Sequence, residues 1–178
     1  MVRKLINFFA YFLFFIFALM LFVPKDGLYF LLEKNLKQYD VIISQESLKE
    51  SLLSLNVEHL ALSVKAVDAA LVEQISISLF GVYNTLKIEE IELSSLVEAY
   101  MPAKISSFDA TYSLLHPLEI RAYSEGEFGS AKLTFNLQEH HLDVKLAPSK
   151  LMLKQYKNSL KEFKKSETGE YSYAKDLY

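Results

Sequence analysis

The hydrophobic pattern separates a continuous apolar segment at the N-terminus from a longer region in which polar and apolar residues alternate. The 19 residues from Leu5 to Val23 contain no charge. A helix of that length reaches roughly 28 Å, close to the hydrocarbon thickness of a bilayer. We therefore predict a cytoplasmic tip and a transmembrane anchor over residues 1–24. The candidate residues of the membrane anchor are Leu5, Phe8, Phe12, Phe15, Leu19, Phe22 and Val23.

Two alternatives to a retained anchor are a buried core helix and a cleaved signal peptide. Core helices usually carry a polar stripe and shorter apolar runs. The apolar core of a signal peptide has roughly 7–15 residues, and Phe22-Val23-Pro24 lacks the small residues of a cleavage site. A retained span is favoured. Arg3 and Lys4 precede it, so the positive-inside tendency places the N-terminus in the cytoplasm and the rest of the chain across the membrane.

A second helical pattern follows Pro24. Over residues 25–39 the apolar positions recur at offsets of three and four, which is typical of one face of an amphipathic helix. We expect this helix to pack on the domain that follows, and the alternative is a helix lying in the membrane interface. The residues of the stripe are Leu28, Leu31, Leu32, Leu36 and Tyr39.

Between residues 40 and 148 the period changes from helical to two. Short alternating segments separated by Gly, Pro, Asn and His predict antiparallel strands joined by tight turns, so we expect a curved β-meander domain. Glu89-Glu90 interrupts the alternation and predicts a β-bulge or a tight reversal. The intervals Gln45–Ser51 and Ser94–Tyr100 fit either a helical turn or a loop.

The chain is predicted to end in a basic amphipathic helix over residues 149–165 and a flexible tail over residues 166–178. Ser149 is placed to cap this helix. Its lysines are candidates for contact with lipid headgroups or with an acidic partner, and a solvated lysine-rich face is the simpler interpretation. These residues are Lys154, Lys157, Lys161 and Lys164. The overall class is mainly β, with peripheral amphipathic helices at both ends of the sheet domain.

Composition adds little chemistry to this picture. The chain has no Cys, four His and a net charge of −3, so thiolate and disulfide chemistry are excluded. His140-His141 falls in a predicted turn, and Glu90 with Glu92 falls on the solvent face of a strand. No nucleophile, metal or phosphate-binding motif is visible. We expect a protein that is not an enzyme, with no metal or cofactor, and its acidic character disfavours nucleic acid.

Three segments together resemble a known family. The span ending in Pro, the segment Leu28–Leu36 and the strand Asp40–Ser44, continued by Leu79–Leu93, are similar to the type II secretion inner-membrane protein N family, which is related to AsmA-like bitopic proteins. The resemblance covers about the first 95 residues. It implies a single-pass protein of the bacterial inner membrane with a periplasmic β domain.

Two functions follow as hypotheses. The first is an accessory component of a type II-like secretion machinery that contacts other envelope proteins. The alternative is an AsmA-like or LptC-like lipid-handling module that carries acyl chains of a phospholipid on the apolar face of its sheet, although such faces more often form a closed core. The candidate residues of that lipid or partner face are Ile75, Ile77, Leu79, Leu86, Ile88, Phe108, Tyr112, Phe135, Leu137 and Val144.

Overall fold

The computed structural model describes residues 2–22, 25–44, 46–51, 53–166 and 169–177. Its helices are α1 (Val2–Phe22), α2 (Lys25–Lys37), α3 (Ser95–Glu98) and α4 (Lys150–Gln155). Its strands are β1 (Val41–Ser44), β2 (Ser47–Glu50), β3 (Ser54–Val64), β4 (Val67–Leu79), β5 (Tyr83–Leu93), β6 (Lys104–Ser113), β7 (Glu119–Gly126), β8 (Gly129–Asn136), β9 (His141–Pro148), β10 (Lys164–Lys165) and β11 (Tyr171–Asp176).

The strands form one antiparallel sheet of eleven strands in the order β1-β3-β4-β5-β6-β7-β8-β9-β11-β10, with β2 paired to β3 beside β1. From β3 to β9 each strand pairs with the next one in the sequence. The predicted antiparallel meander is therefore confirmed. The prediction of a helical turn or a loop over Gln45–Ser51 is wrong, because this interval contains strand β2, whereas Ser94–Tyr100 contains the short helix α3, one of the two alternatives predicted for it.

An irregularity crosses four neighbouring strands at the same level, at His59, Glu73, Glu90 and Ser106, where the strand pairing omits one residue of each strand. His59 and Glu90 have φ values of 53° and 52°, which lie in the left-handed region that non-glycine residues seldom adopt. The alternation changes phase there, so Val57 before the irregularity and Leu60 after it are both buried in one core. The predicted break in β5 is thus an interruption within a continuous strand and not a reversal. It is not a β-bulge either, because the register of β5 with β4 and β6 is the same on both sides of it.

The N-terminal core lies where α2 packs on β1 to β3. Tyr29 is 4% exposed and joins Leu55, Val57 and Leu60 in a buried cluster, with Leu36 packed against it. The predicted helix is confirmed, but its predicted stripe is wrong in part, because Leu31 and Tyr39 are exposed and Tyr29 occupies the contact face. The side chains of Leu28 and Leu32 lie outside the described residues.

The hydroxyl of Tyr29 is buried without a hydrogen-bond partner in the described residues. Burial, followed by the nearby carboxylates of Glu46 and Glu33, raises the pKa of Tyr29 to about 12. The phenol therefore stays neutral at ordinary pH and contributes to the core as an apolar ring.

The C-terminal region corrects two predictions. The capped helix α4 ends at Gln155 rather than at residue 165. Turns follow it, in which the amides of Ser159, Leu160, Lys161 and Phe163 each donate to the carbonyl three residues earlier. Leu160 is buried and Phe163 packs against the same buried cluster, so this segment contacts the sheet through turns instead of a continuous helix. The predicted flexible tail contains β11, which pairs with β9.

The N-terminal apolar segment is helical over Val2–Phe22, as predicted. Among the described residues, no helix combines the length and apolar character needed to cross a membrane. The span itself stays a prediction. Of the candidate anchor residues, Phe8, Phe12 and Phe15 are exposed. Val23 and the side chains of Leu5, Leu19 and Phe22 lie outside the described residues.

Candidate functional site

One face of the sheet carries a continuous apolar surface, here called the apolar face. Residues paired across neighbouring strands project on the same side of a sheet, so the register shows which side chains share it. One row runs through Leu55, Ile77, Leu86, Ala110, Ala122, Leu133, Val144 and Tyr173. A second row runs through Val57, Ile75, Ile88, Phe108, Ser124, Ala131, Leu146 and Tyr171.

The apolar face is covered at its two ends and open between them. At one end α2 lies over β1 to β3, and at the other end α4 and the turns after it lie over β8 and β9. Between these covers, Leu79, Leu86, Tyr112 and Phe135 are half-buried and belong to neither buried cluster of the described residues. A sheet face of this character normally packs against a second layer.

An open cavity of about 530 Å³ lies on the apolar face beside the C-terminal cover. Its floor consists of β6 to β9, where the small side chains of Ser124 and Ala131 leave room between larger neighbours. Its remaining walls come from the loop before β6, from α4 and from the turns that follow. The lining residues are Tyr100, Met101, Ile105, Phe108, Ser124, Phe128, Ala131, Leu133, Val144, Leu146, Met152, Ser159, Glu162 and Phe163.

Specific contacts fix the cover over this cavity. The Ser149 hydroxyl accepts a hydrogen bond from the Met152 amide at 3.1 Å and donates one to the Glu127 carbonyl at 2.5 Å, which sets the start of α4. Farther along, the Ser159 hydroxyl donates to the carbonyl of Tyr100. The Phe163 ring lies 5.4 Å from that of Tyr173. The predicted capping role of Ser149 is confirmed.

A close backbone approach at Gly129 brings the start of β8 against the end of β9. Gly129 has φ +114°, and a Cβ built there would lie 2.1 Å from the Ala147 carbonyl oxygen. Only glycine adopts this conformation without strain. The position of α4 over the cavity therefore depends on this residue, because Ser149 follows directly after the strand end that Gly129 contacts.

The cavity contains few polar groups. Ser124 is buried, and its hydroxyl donates to the Ser107 carbonyl at 2.9 Å. The Ser159 hydroxyl is likewise occupied, which leaves the Glu162 carboxylate as the charged group among the lining residues. A surface of this kind can accept an apolar chain through burial, and it offers little for recognition of a polar headgroup.

A second hollow of the same volume, about 530 Å³, lies over the irregularity of the strands and has a different character. It is lined by His59, Glu73, Glu90 and Glu92 together with apolar neighbours, and the His59 Nε2 lies 3.0 Å from a Glu73 carboxylate oxygen. These groups are exposed. In the part of the chain that the structure describes, no group of acidic and histidine residues is arranged to hold a metal ion.

His141 lies at the end of the pairing between β9 and the last strand, β11. Its Nδ1 lies 2.5 Å from the Asp176 carboxylate, across the register pair that joins β9 to β11. The hydrogen bond to Asp176, aided by the charges of Asp143 and Glu139, raises the pKa of His141 against a smaller opposing effect of burial. His140, the other member of the predicted pair, is exposed in the turn.

The structure brings nine of the ten predicted face residues onto the apolar face. Leu137 lies in the turn after β8 rather than in a strand. Phe108 and Val144 line the cavity, whereas Ile75, Ile77 and Ile88 pack against the N-terminal core. Exposed Lys154, Lys157, Lys161 and Lys164 are distributed over α4, the turns and β10 instead of one helix face.

Several cavity residues were not among the predicted ones. Leu133 and Leu146 continue the alternation of Phe135 and Val144, so the same pattern could have identified them. Phe128, Met152 and Phe163 come from a turn, a short helix and an irregular segment. Their contribution depends on contacts between distant parts of the chain, which a local pattern does not contain.

Comparison of the chain with protein-family models, with curated proteins and with solved structures finds no match. The resemblance of the first 95 residues to the secretion protein N family therefore stays a prediction.

Proposed function

We propose that this protein binds the acyl chains of lipids on the apolar face of a curved sheet, with the cavity beside α4 as the principal binding position. The observation that supports the proposal is a cavity of about 530 Å³ with an almost wholly apolar lining that adjoins an uncovered apolar surface. Ligand pockets have volumes of roughly 300–1,000 Å³. An apolar cavity of roughly 150 Å³ already binds benzene, so this one has room for a much longer chain.

The energetics favour an acyl chain over a polar ligand. Each methylene transferred from water contributes about 0.8 kcal/mol, so ten methylenes contribute about 8 kcal/mol before the cost of association and ordering is subtracted. The lining offers one carboxylate, two occupied serine hydroxyls and the phenol of the exposed Tyr100. Affinity would therefore depend on chain length, with little selection among headgroups.

We further propose that α1 anchors the protein in the bacterial inner membrane, with the sheet domain on the periplasmic side. Every described side chain from Ile6 to Phe15 is exposed, including eight large apolar ones. An apolar surface of that extent rarely faces water in a soluble protein. A reporter enzyme fused after the C-terminal residue, Tyr178, would be active only in the periplasm, and activity confined to the cytoplasm would contradict the proposal.

Photo-crosslinking tests the binding position directly. The full chain is reconstituted in vesicles that contain a phospholipid with a diazirine in its acyl chain, and the crosslinked peptides are mapped after illumination. We expect crosslinks at Met101, Met152 and their neighbours in the cavity, in addition to any in α1. Crosslinks confined to α1 would refute the proposal.

A matched pair of variants makes the test specific. Leu133→Trp places a larger side chain in the cavity and, if it displaces two methylenes of a bound chain, weakens binding about tenfold. Leu71→Trp adds the same ring at an exposed position outside the apolar face. Crosslinking in the cavity should fall in the first variant and be unchanged in the second.

The accessory role in secretion, through contacts with other envelope proteins, remains a prediction implied by the family resemblance. It shares with the present proposal the expectation of an uncovered apolar face. If the diazirine lipid leaves the cavity unlabelled and a secretion protein crosslinks there instead, the face binds protein and the lipid proposal is abandoned.

A further inference from the structure

Two neighbouring turns form a cluster of exposed apolar side chains at one end of the sheet, here called the apolar tip. The turn from β4 to β5 supplies Phe80 and Val82, and Tyr83 follows as the first residue of β5. The turn from β6 to β7 supplies Leu114, Leu115 and Leu118. All six side chains are exposed, and Leu115 reaches 86%. Single exposed apolar residues are ordinary in proteins, but a contiguous group of this size usually marks an interaction surface.

The apolar tip has a defined structure. The Leu114 amide donates to the Val82 carbonyl at 2.9 Å, which joins the two turns. The Asn84 side chain accepts a hydrogen bond from the Gly81 amide at 3.1 Å. The Leu115 amide donates to the Ser113 hydroxyl at 3.2 Å. The turns therefore satisfy several of their own polar groups while their apolar side chains face outward.

The charge distribution indicates which partner fits. Residues 80–84 and 113–118 contain no Asp, Glu, Lys or Arg, although 23% of the whole chain is charged. A protein surface that docks on water-exposed partners normally has a polar and charged rim. A segment without these four residue types is suited to enter a bilayer, because a charged group in hydrocarbon is costly. The aromatic rings of Phe80 and Tyr83 also suit the membrane interface.

The apolar tip continues directly into the apolar face. Leu79 pairs with Asn84, which pairs in turn with Tyr112, and this row extends through Ile120 to Phe135. The turns thus lie at the end of the uncovered surface. A chain that leaves a bilayer at this point would pass onto apolar side chains without crossing a charged group of either turn.

We propose that the apolar tip inserts into the surface of a lipid bilayer and is where acyl chains pass between membrane and apolar face. The passage of chains rests on the proposed function, whereas insertion of the tip can be measured by itself. The partner is the bilayer interface, recognised by exposed aliphatic and aromatic side chains without charge.

The chain contains no Cys, which allows one environment-sensitive fluorophore to be placed at a single introduced thiol. Leu115→Cys places it in the apolar tip. Leu96→Cys is the matched control, since Leu96 is also an exposed leucine, at 61%, but belongs to α3. Both are exposed, so neither change should alter folding. The full chain is reconstituted in vesicles of phosphatidylethanolamine and phosphatidylglycerol, with or without brominated acyl chains.

We expect the Leu115 probe to emit at shorter wavelength in vesicles and to be quenched by brominated acyl chains, with the Leu96 probe unchanged. Equal solvent exposure of both probes, or equal quenching of both, would overturn the inference. If the Leu115 probe is quenched while the diazirine lipid leaves the cavity unlabelled, the tip contacts membrane and the proposed function fails. If the cavity is labelled and the Leu115 probe stays in water, the inference about the tip fails alone.

Discussion

Substitution of Tyr29 by Phe should leave the protein as stable as before or make it more stable. The side chain is buried in the N-terminal core, yet its hydroxyl has no partner among the described residues. An unsatisfied buried hydroxyl costs about 1–3 kcal/mol, and the ring that remains in Phe preserves the packing. We expect a gain of about 1 kcal/mol, which raises the Tm of a protein of this size by about 2–4 °C.

Substitution of Tyr29 by Ala measures the ring instead of the hydroxyl. Removal of a buried aromatic side chain costs about 3–5 kcal/mol, and here the loss should separate α2 from β1 to β3. Tyr39→Ala is the control, because Tyr39 is 75% exposed and such surface changes alter stability by about 0.5 kcal/mol or less.

The assay is urea unfolding of the full chain in detergent micelles, followed by the far-UV circular dichroism of the sheet. The midpoint should shift upward or stay unchanged in Tyr29→Phe, fall strongly in Tyr29→Ala and remain near wild type in Tyr39→Ala. A loss of more than about 1 kcal/mol in Tyr29→Phe, the usual net contribution of one hydrogen bond, would show that the hydroxyl is satisfied and that the reasoning is wrong.

Two further predictions concern the C-terminal half. The hydrogen bond to Asp176 raises the pKa of His141, so the stabilisation of β11 is fully present below the ordinary histidine pKa of about 6.5 and is lost as pH rises through the raised value. Hydrogen exchange of the β11 amides, corrected for intrinsic rates, should therefore show extra opening at higher pH in wild type but not in His141→Gln. An identical profile in both proteins would refute this. Gly129→Ala should destabilise the protein in thermal unfolding by more than the roughly 1–3 kcal/mol typical of a strained backbone conformation, since the new Cβ would meet the Ala147 carbonyl oxygen. Gly169→Ala should lose only the energy of backbone strain, because Gly169 has φ +86° and a Cβ there would have no atom within 4 Å. Equal losses of stability in the two variants would contradict the argument from crowding at Gly129.

Much of the sheet could be predicted from the sequence because alternation is a local signal. The doubled glutamate Glu89-Glu90 separates Leu86 and Ile88 from Ile91, and the structure shows that the alternation changes phase there. The residues that lie on the apolar face were also predictable, since from β3 to β9 each strand pairs with its neighbour in sequence. Once strand order is sequential, the buried positions of one strand determine those of the next.

The C-terminal region was mispredicted for an identifiable physical reason. Leu153, Tyr156, Leu160 and Phe163 recur at helical spacing, yet the helix ends at Gln155 and the last two of these residues reach the sheet from turns. Spacing cannot distinguish a helix from a chain of turns that presents the same residues to one surface. Contacts with Met101 and Ile105, far away in sequence, decide between them.

The final strand was missed because its partner precedes a long intervening segment. Tyr171 and Tyr173 alternate with polar residues, but two positions are too few to distinguish a strand from an irregular tail. Pairing with β9 supplies the missing information. The cavity has the same origin, since its cover is built from α4 and the turns that lie between these two strands.

The sequential order of β3 to β9 has an evolutionary consequence. Each interior strand touches only the strands beside it, as in a repeat protein, so stability is distributed among nearest neighbours. Gain or loss of one hairpin in the middle would lengthen or shorten the hydrophobic track while the capping structures at both extremities stayed intact. Related proteins can therefore differ in the length of the apolar face by whole hairpins while the helices and turns that cover its two ends stay the same.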